Sequence, residues 1–115
     1  MKLKSKLKTI SASLAVLSII STPVLALTQY GNGSAVTYES DNYLGYHSVG
    51  VKKSFGGANT YGFSWVDPSN NSVRVYSQLT IGGVTFNKAY GVGYAQSSQE
   101  YRPGNVAVSE SHGTY

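Results

Sequence analysis

A short run of aromatic and basic residues is the part of this sequence best suited to bind a ligand. The run contains Tyr43, Tyr46, His47, Lys52 and Lys53. Tyrosine rings offer rigid apolar faces that can pack on sugars or lipids, and lysine ammonium groups form charge-assisted hydrogen bonds with phosphate or carboxylate. We predict that these five residues form a binding site. The alternative for the tyrosines is a structural one, in which they only cover the second sheet of a small domain.

The sequence contains few candidate catalytic residues. It has no cysteine, which excludes a thiol nucleophile, and its two histidines, His47 and His112, lie in no recognised catalytic motif. The motifs of serine hydrolases, zinc proteases and phosphate-binding loops are absent from the sequence. We therefore predict a protein that is not an enzyme and that uses no cofactor.

An acidic stretch from Glu39 to Asn42 could offer oxygen ligands to Ca²⁺. A calcium site needs at least about six oxygens in a closed arrangement. A tight turn already accounts for Asp41 and Asn42, because both residue types favour turns. The sequence therefore predicts a turn here and no metal site.

Residues 1–26 have the features of a secretory signal peptide. Four lysines between Lys2 and Lys8 give a positively charged start, the run from Ile10 to Ile20 is apolar, and a small-x-small pattern ends at Ala26. We expect cleavage after Ala26 and a secreted, extracellular protein with a single domain at residues 27–115. The lysine-rich leader and the lack of cysteine favour a Gram-positive source.

The charge balance depends on whether the predicted leader is counted. The whole sequence has a formal net charge of +4 and a pI of about 9.3, but residues 27–115 carry five Lys or Arg and five Asp or Glu. Neutral residues 27–115 give no reason to expect nucleic-acid binding. They also contain no apolar run long enough to cross a membrane.

After residue 27 the sequence alternates between apolar and polar residues with a period of two, which is typical of half-buried β-strands. The pattern predicts an all-β fold, a small antiparallel β-sandwich of about six strands. The aromatic residues Tyr61, Phe63 and Trp65 are expected to form the spine of its core. The predicted strands are Ser34–Ser40, Tyr43–Ser54, Thr60–Val66, Ser72–Ile81, Val84–Tyr94 and Val106–His112.

The best-defined local feature is a hairpin at Gly82-Gly83, where two glycines can supply the positive φ values of a two-residue primed turn. This turn pairs Ile81 with Val84. The same register, continued along the strands, places Lys88 on the apolar face. Either a bulge corrects the register there, or that end of the hairpin overhangs the core.

The spacing Tyr38-x-x-x-x-Tyr43-x-x-Tyr46-His47-Ser48 resembles the Tyr/Asn/His-rich stretch near the start of lactococcin 972-like bacteriocins. The likeness covers residues 33–51 in detail and the rest of the chain only in general character. It implies two three-stranded antiparallel sheets and binding to the cell-wall precursor lipid II. It assigns no individual residue a role.

Taken together, these features predict a secreted antibacterial protein that binds a cell-envelope component, with lipid II as the candidate that the resemblance implies. The alternatives are a structural or adhesive protein that self-associates through Tyr-rich strand edges, or a secreted inhibitor of another protein. A homodimer would be a further way for so small a domain to hide apolar surface.

Overall fold

The structure, a computed structural model, describes residues 27–115, so the predicted signal peptide lies outside the described residues. Within residues 27–115 the chain forms ten β-strands and no helix, and therefore no helix that could span a membrane. The strands are β1 (Thr28–Gln29), β2 (Gly33–Asp41), β3 (Gly45–Gly56), β4 (Asn59–Pro68), β5 (Arg74–Ile81), β6 (Val84–Thr85), β7 (Ala89–Val92), β8 (Ala95–Gln96), β9 (Glu100–Pro103) and β10 (Val108–Thr114).

The strands form two antiparallel sheets that pack face to face, which confirms the predicted β-sandwich. The front sheet has the order β2-β3-β4, and both β8 and β9 pair with β4. The back sheet has the order β1-β10-β5, and both β6 and β7 pair with β5. The long strands β2, β3 and β4 thus make one continuous surface on the front sheet.

The Gly82-Gly83 turn forms as predicted, and β5 and β6 pair across it in the predicted register. The two glycines have φ values of 57° and 81°. Further from the turn, Tyr76 pairs with Tyr90, which is one residue out of step with the register of the turn. This shift shows that a bulge, one of the two alternatives left by the sequence, corrects the register. The bulge places the Lys88 ammonium 4.2 Å from the centroid of the Tyr76 ring instead of in the core.

The number of strands is larger than predicted for three reasons: one predicted strand is interrupted, residues 95–105 between two predicted strands contain two short strands, and β1 forms ahead of the first predicted strand. The bulge divides the predicted strand Val84–Tyr94 into β6 and β7. The connection at residues 95–105 contains the short strands β8 and β9, which extend the front sheet.

The prediction that aromatic residues of β4 form the spine of the core is wrong. These residues, Tyr61, Phe63 and Trp65, alternate with buried residues and lie on the outer face of the front sheet. The two sheets are too close at β4 for large rings, since a Cβ on Gly62 would lie 2.7 Å from Val108 Cγ1. The core instead consists of small aliphatic side chains, chiefly Leu44, Val49, Val51, Val66, Val75, Leu79, Ile81, Ala95 and Val108.

Polar side chains are buried among these aliphatic residues. The hydroxyls of Ser64 and Ser77 lie 2.8 Å apart and join the two sheets, and the Ser64 amide donates to Ser97 Oγ at 2.9 Å. Ser77 pairs with His112 on the neighbouring strand, whose ring is also buried. Buried polar groups need hydrogen-bond partners, so the sandwich depends on a specific polar network as well as on apolar packing.

Candidate functional site

The five residues predicted to bind a ligand do not form one cluster. Tyr46 and Lys52 are exposed on the outer face of the front sheet, and Tyr43 is exposed in the turn between β2 and β3. His47 and Lys53 alternate with them on β3 and are buried, with 1% and 2% of their surfaces exposed. Only Tyr46 and Lys52 therefore share a surface that a ligand can reach.

Lys53 has a structural position inside the protein. Its ammonium donates hydrogen bonds to the Tyr30 carbonyl at 2.6 Å and to Asn105 Oδ1 at 2.7 Å. A buried ammonium is tolerated when its hydrogen bonds are satisfied in this way. Lys53 thus ties the start of the described chain to the loop before β10, and it is unavailable to a ligand.

The outer face of the front sheet carries a set of aromatic residues that we call the aromatic face. Its rings come from β2, β3, β4 and β9, because every second residue of a strand points to the same side. Neighbouring rings contact one another in pairs: Tyr38–Tyr46 at 6.3 Å and nearly parallel, Tyr61–Tyr101 at 5.8 Å, and Phe63–Trp65 at 5.7 Å between centroids.

Gly50 gives Trp65 its place on this face. The two residues are cross-strand partners on β3 and β4, and a Cβ at position 50 would overlap the indole ring. The missing side chain therefore lets the ring of Trp65 settle against the sheet. Glycine within a strand often marks such a close approach.

Two shallow grooves flank the centre of the aromatic face. One, with a volume of about 230 Å³, lies between Tyr38, Tyr46 and Asp67. The other, about 160 Å³, is lined by Lys52 and Phe63. Both combine ring faces with a polar or charged group, which is the usual composition of a ligand site.

On the outer face of the back sheet, the basic side chains contact aromatic rings of the protein itself. There Lys88 lies over the ring of Tyr76 and Arg74 lies 5.9 Å from the centroid of Tyr115. Lys52 makes no ion pair or cation–π contact with any residue of 27–115. The aromatic face thus has a cation that is free to meet an anionic group.

A second group of chemically capable residues lies inside the sandwich, and we call it the buried histidine cluster. It comprises Glu39 of β2, His47 of β3, and Glu110 and His112 of β10. Glu39 and His47 are cross-strand partners in the front sheet, and His112 reaches them from the back sheet. The Nε2 atoms of His47 and His112 each lie 3.4 Å from Glu39 Oε1.

Glu110 controls the charge of this cluster. Its Oε1 accepts a hydrogen bond from His112 Nδ1 at 2.9 Å, and its Oε2 accepts one from the Leu27 amide at 2.8 Å. Burial alone lowers the pKa of His112, but the hydrogen bond and charge of Glu110, helped by Glu39, outweigh burial and raise this pKa above 6.5. The cluster therefore favours a positive charge between its carboxylates.

Sequence reasoning missed this cluster. It assigned Asp41 to a turn, and the turn is confirmed, since Asp41 Oδ1 accepts hydrogen bonds from the amides of Tyr43 and Leu44 at 2.7 and 3.3 Å. The neighbouring Glu39, however, points inward. The available signal was the alternation Glu110-x-His112, which places both side chains on one face of a strand.

Comparison of the chain with protein-family models, with curated proteins and with solved structures finds no match.

Proposed function

We propose that this protein is a secreted antibacterial protein that binds a component of the cell envelope of related Gram-positive bacteria through the aromatic face. The observation that carries the proposal is that Lys52, which has no ionic partner among residues 27–115, lies on the same outer face as six aromatic side chains and next to Tyr61 and Phe63. The aromatic members are Tyr38, Tyr46, Tyr61, Phe63, Trp65 and Tyr101.

The chemistry of this surface suits a ligand with both sugar and anionic parts. Aromatic rings pack against the apolar faces of sugars, and a lysine binds phosphate as a point charge. Residues 27–115 carry equal numbers of basic and acidic groups, so long-range steering is weak and short-range contacts must supply the affinity. Lipid II, the candidate from the sequence resemblance, combines a disaccharide with a pyrophosphate.

Trp65 provides a direct test, since it is the sole tryptophan of the chain and lies on the aromatic face. Titration of the protein with lipid II in detergent micelles should change the fluorescence of Trp65 in a saturable way. Tyr46→Ala and Lys52→Ala should each weaken binding and reduce growth inhibition of a sensitive strain. Truncation of a contact residue commonly weakens binding by roughly tenfold, equivalent to about 1.4 kcal/mol.

The back sheet offers a matched control. Tyr90 is about as exposed as Tyr46, at 59% against 67%, but it lies on the opposite side of the molecule. Tyr90→Ala should leave lipid II binding and growth inhibition unchanged. An equal loss in Tyr90→Ala and Tyr46→Ala, or full activity in Tyr46→Ala and Lys52→Ala, would contradict the proposal.

One observation favours the alternative of self-association. Strand β2 is nine residues long and lies at the edge of the front sheet, where it pairs only with β3 in the described part of the chain. Such an edge can pair with a second copy, and Val36 and Tyr38 on it are exposed. Sedimentation analysis should then show oligomers that Val36→Lys disperses, and a monomer at all concentrations would exclude this alternative.

A further inference from the structure

We propose that Glu39, His47 and His112 form a binding site for a divalent transition-metal ion, with Zn²⁺ the best match. One donor atom from each of the three residues lies within 4.8 Å of the other two. The site is inside the sandwich, apart from the aromatic face, and the proposal does not depend on the proposed function.

The distances in the cluster fit metal ligands better than hydrogen bonds. Both Nε2 atoms lie 3.4 Å from Glu39 Oε1, whereas a hydrogen bond between an ionised donor and a carboxylate is about 2.7–2.9 Å long. Zinc binds nitrogen and oxygen at about 2.0–2.1 Å in a tetrahedron, which separates neighbouring ligand atoms by about 3.3 Å. The two nitrogen–oxygen distances match this separation, and all three donor atoms lie within 4.8 Å of one another, close enough to share one ion.

The hydrogen bond made by Nδ1 of each histidine ring determines whether Nε2 carries a proton or a lone pair. His112 Nδ1 faces the Glu110 carboxylate at 2.9 Å, and His47 Nδ1 faces the Gly45 carbonyl at 3.2 Å. Because both partners are acceptors, each Nδ1 must donate, and in the neutral ring Nε2 then carries the lone pair. This is how metal-binding histidines are oriented, by a carboxylate or a backbone carbonyl on the far nitrogen.

The two Nε2 atoms are also buried without any hydrogen-bond partner. His47 and His112 have only 1% and 0% of their surfaces exposed, so water cannot readily satisfy these atoms. Buried polar atoms without partners are rare and call for a cause. Two imidazole lone pairs that converge on a carboxylate oxygen require a positive charge between them, and a metal ion supplies it.

The donor set selects the type of ion. Two imidazole nitrogens and one carboxylate oxygen suit Zn²⁺ and related transition metals, whereas Ca²⁺ and Mg²⁺ prefer oxygen ligands alone. The ligands come from β2, β3 and β10, so one ion would join the front and back sheets. Glu39 is 23% exposed, which leaves a route from solvent for the ion and for a fourth ligand.

A bound proton is the competing source of positive charge, and the experiment distinguishes the two. The purified protein is freed of metal with a chelator and titrated with ZnCl₂ by calorimetry at neutral pH. We expect one ion per chain and a thermal midpoint that rises with the Zn²⁺ concentration. Co²⁺ in the same site should give the visible absorption bands of a four-coordinate ion.

Variants test the identity of the ligands. Glu39→Gln should weaken Zn²⁺ binding at least tenfold. Glu110→Gln, which removes no ligand atom but replaces the carboxylate that orients His112, should weaken it by about 10–100-fold. Glu100→Gln, a carboxylate of β9 outside the cluster, should bind Zn²⁺ as the unmodified protein does.

The measurements on the unmodified protein test the metal site even if a variant fails to fold. The absence of both binding heat and Co²⁺ absorption bands would overturn the proposal and identify the cluster as a proton-linked ion network. Undiminished affinity in folded Glu39→Gln would also overturn it, because the ion would then be bound elsewhere.

Discussion

Replacement of Glu110 by glutamine tests how the buried polar groups stabilise the sandwich. Glu110 is fully buried, and its two carboxylate oxygens accept hydrogen bonds from different parts of the chain, His112 Nδ1 and the Leu27 amide. Glutamine has the same shape but only one accepting oxygen. Its amide nitrogen must therefore face one of the two donors, and one hydrogen bond is lost whichever way the side chain turns.

The expected loss follows from these two contacts. A hydrogen bond to a charged group contributes about 1.5–3 kcal/mol, and a buried donor left without a partner costs about 1–3 kcal/mol. We expect Glu110→Gln to lower the free energy of unfolding by about 2–4 kcal/mol. For a domain of this size the thermal midpoint should fall by at least about 8 °C.

The assay is urea unfolding followed by circular dichroism, with a chelator present so that metal binding does not contribute. Glu100→Gln is the control and should change the free energy of unfolding by no more than about 0.5 kcal/mol, as surface substitutions do. A loss of less than about 0.5 kcal/mol in Glu110→Gln, with an unchanged denaturant slope, would show that the two hydrogen bonds of Glu110 do not stabilise the fold.

The predicted cleavage after Ala26 adds a charge to the same contact. A chain that begins at Leu27 has an α-ammonium group where the amide donor lies, 2.8 Å from Glu110 Oε2. Glu110→Gln should then destabilise the chain that begins at Leu27 more than a chain extended by Ala26. Equal losses in the two chains would show that the terminal charge does not reach Glu110.

Two further predictions concern neighbouring positions on β3. Gly50→Ala should displace the ring of Trp65 and so change both the Trp65 fluorescence and the binding of lipid II. Gly56→Ala, where an added Cβ meets no atom within 4 Å, should change neither. Unaltered Trp65 fluorescence in Gly50→Ala would contradict the close approach of Gly50 to the ring. Lys53→Ala removes a buried side chain and its two charge-assisted hydrogen bonds and should lower the free energy of unfolding by about 2 kcal/mol or more. Lys52→Ala should change it by no more than about 0.5 kcal/mol, and equal urea midpoints in the two variants would contradict their assignment to opposite faces.

The sequence predicts those parts of the fold that depend on local rules. Alternation along β2, β3, β4 and β5 is enough to predict a two-sheet β-sandwich, because a strand with one apolar face must pack that face against another element. The Gly82-Gly83 turn was predicted because few other residues adopt the required positive φ values. In both cases the information lies within a few neighbouring residues.

The sequence does not reveal which face of each strand points inward when both faces carry large side chains. Phe63 and Trp65 are apolar enough for a core, yet the close approach of the sheets at Gly62 leaves room only for small residues. The same ambiguity placed His47 and Lys53 in the predicted surface site. Their inward direction depends on which face of β3 packs against the back sheet, a contact between residues that are far apart in the sequence.

The alternation Glu110-x-His112 was readable in the sequence, but the rest of the buried histidine cluster was beyond prediction for a related reason. Glu39 and His112 are far apart in the sequence and meet only because β10 of the back sheet packs on β3 of the front sheet, next to β2. Strand packing across a sandwich is a non-local property, and the residue pairs that it creates leave no spacing signal in a single sequence.

Binding of an envelope component by the aromatic face can be observed residue by residue in a nuclear magnetic resonance titration of the ¹⁵N-labelled protein with lipid II in micelles. We expect chemical-shift changes to concentrate on backbone amides of β2, β3, β4 and β9 and on the indole N–H of Trp65. Changes confined to the back sheet, or no changes at saturating lipid II, would contradict this expectation.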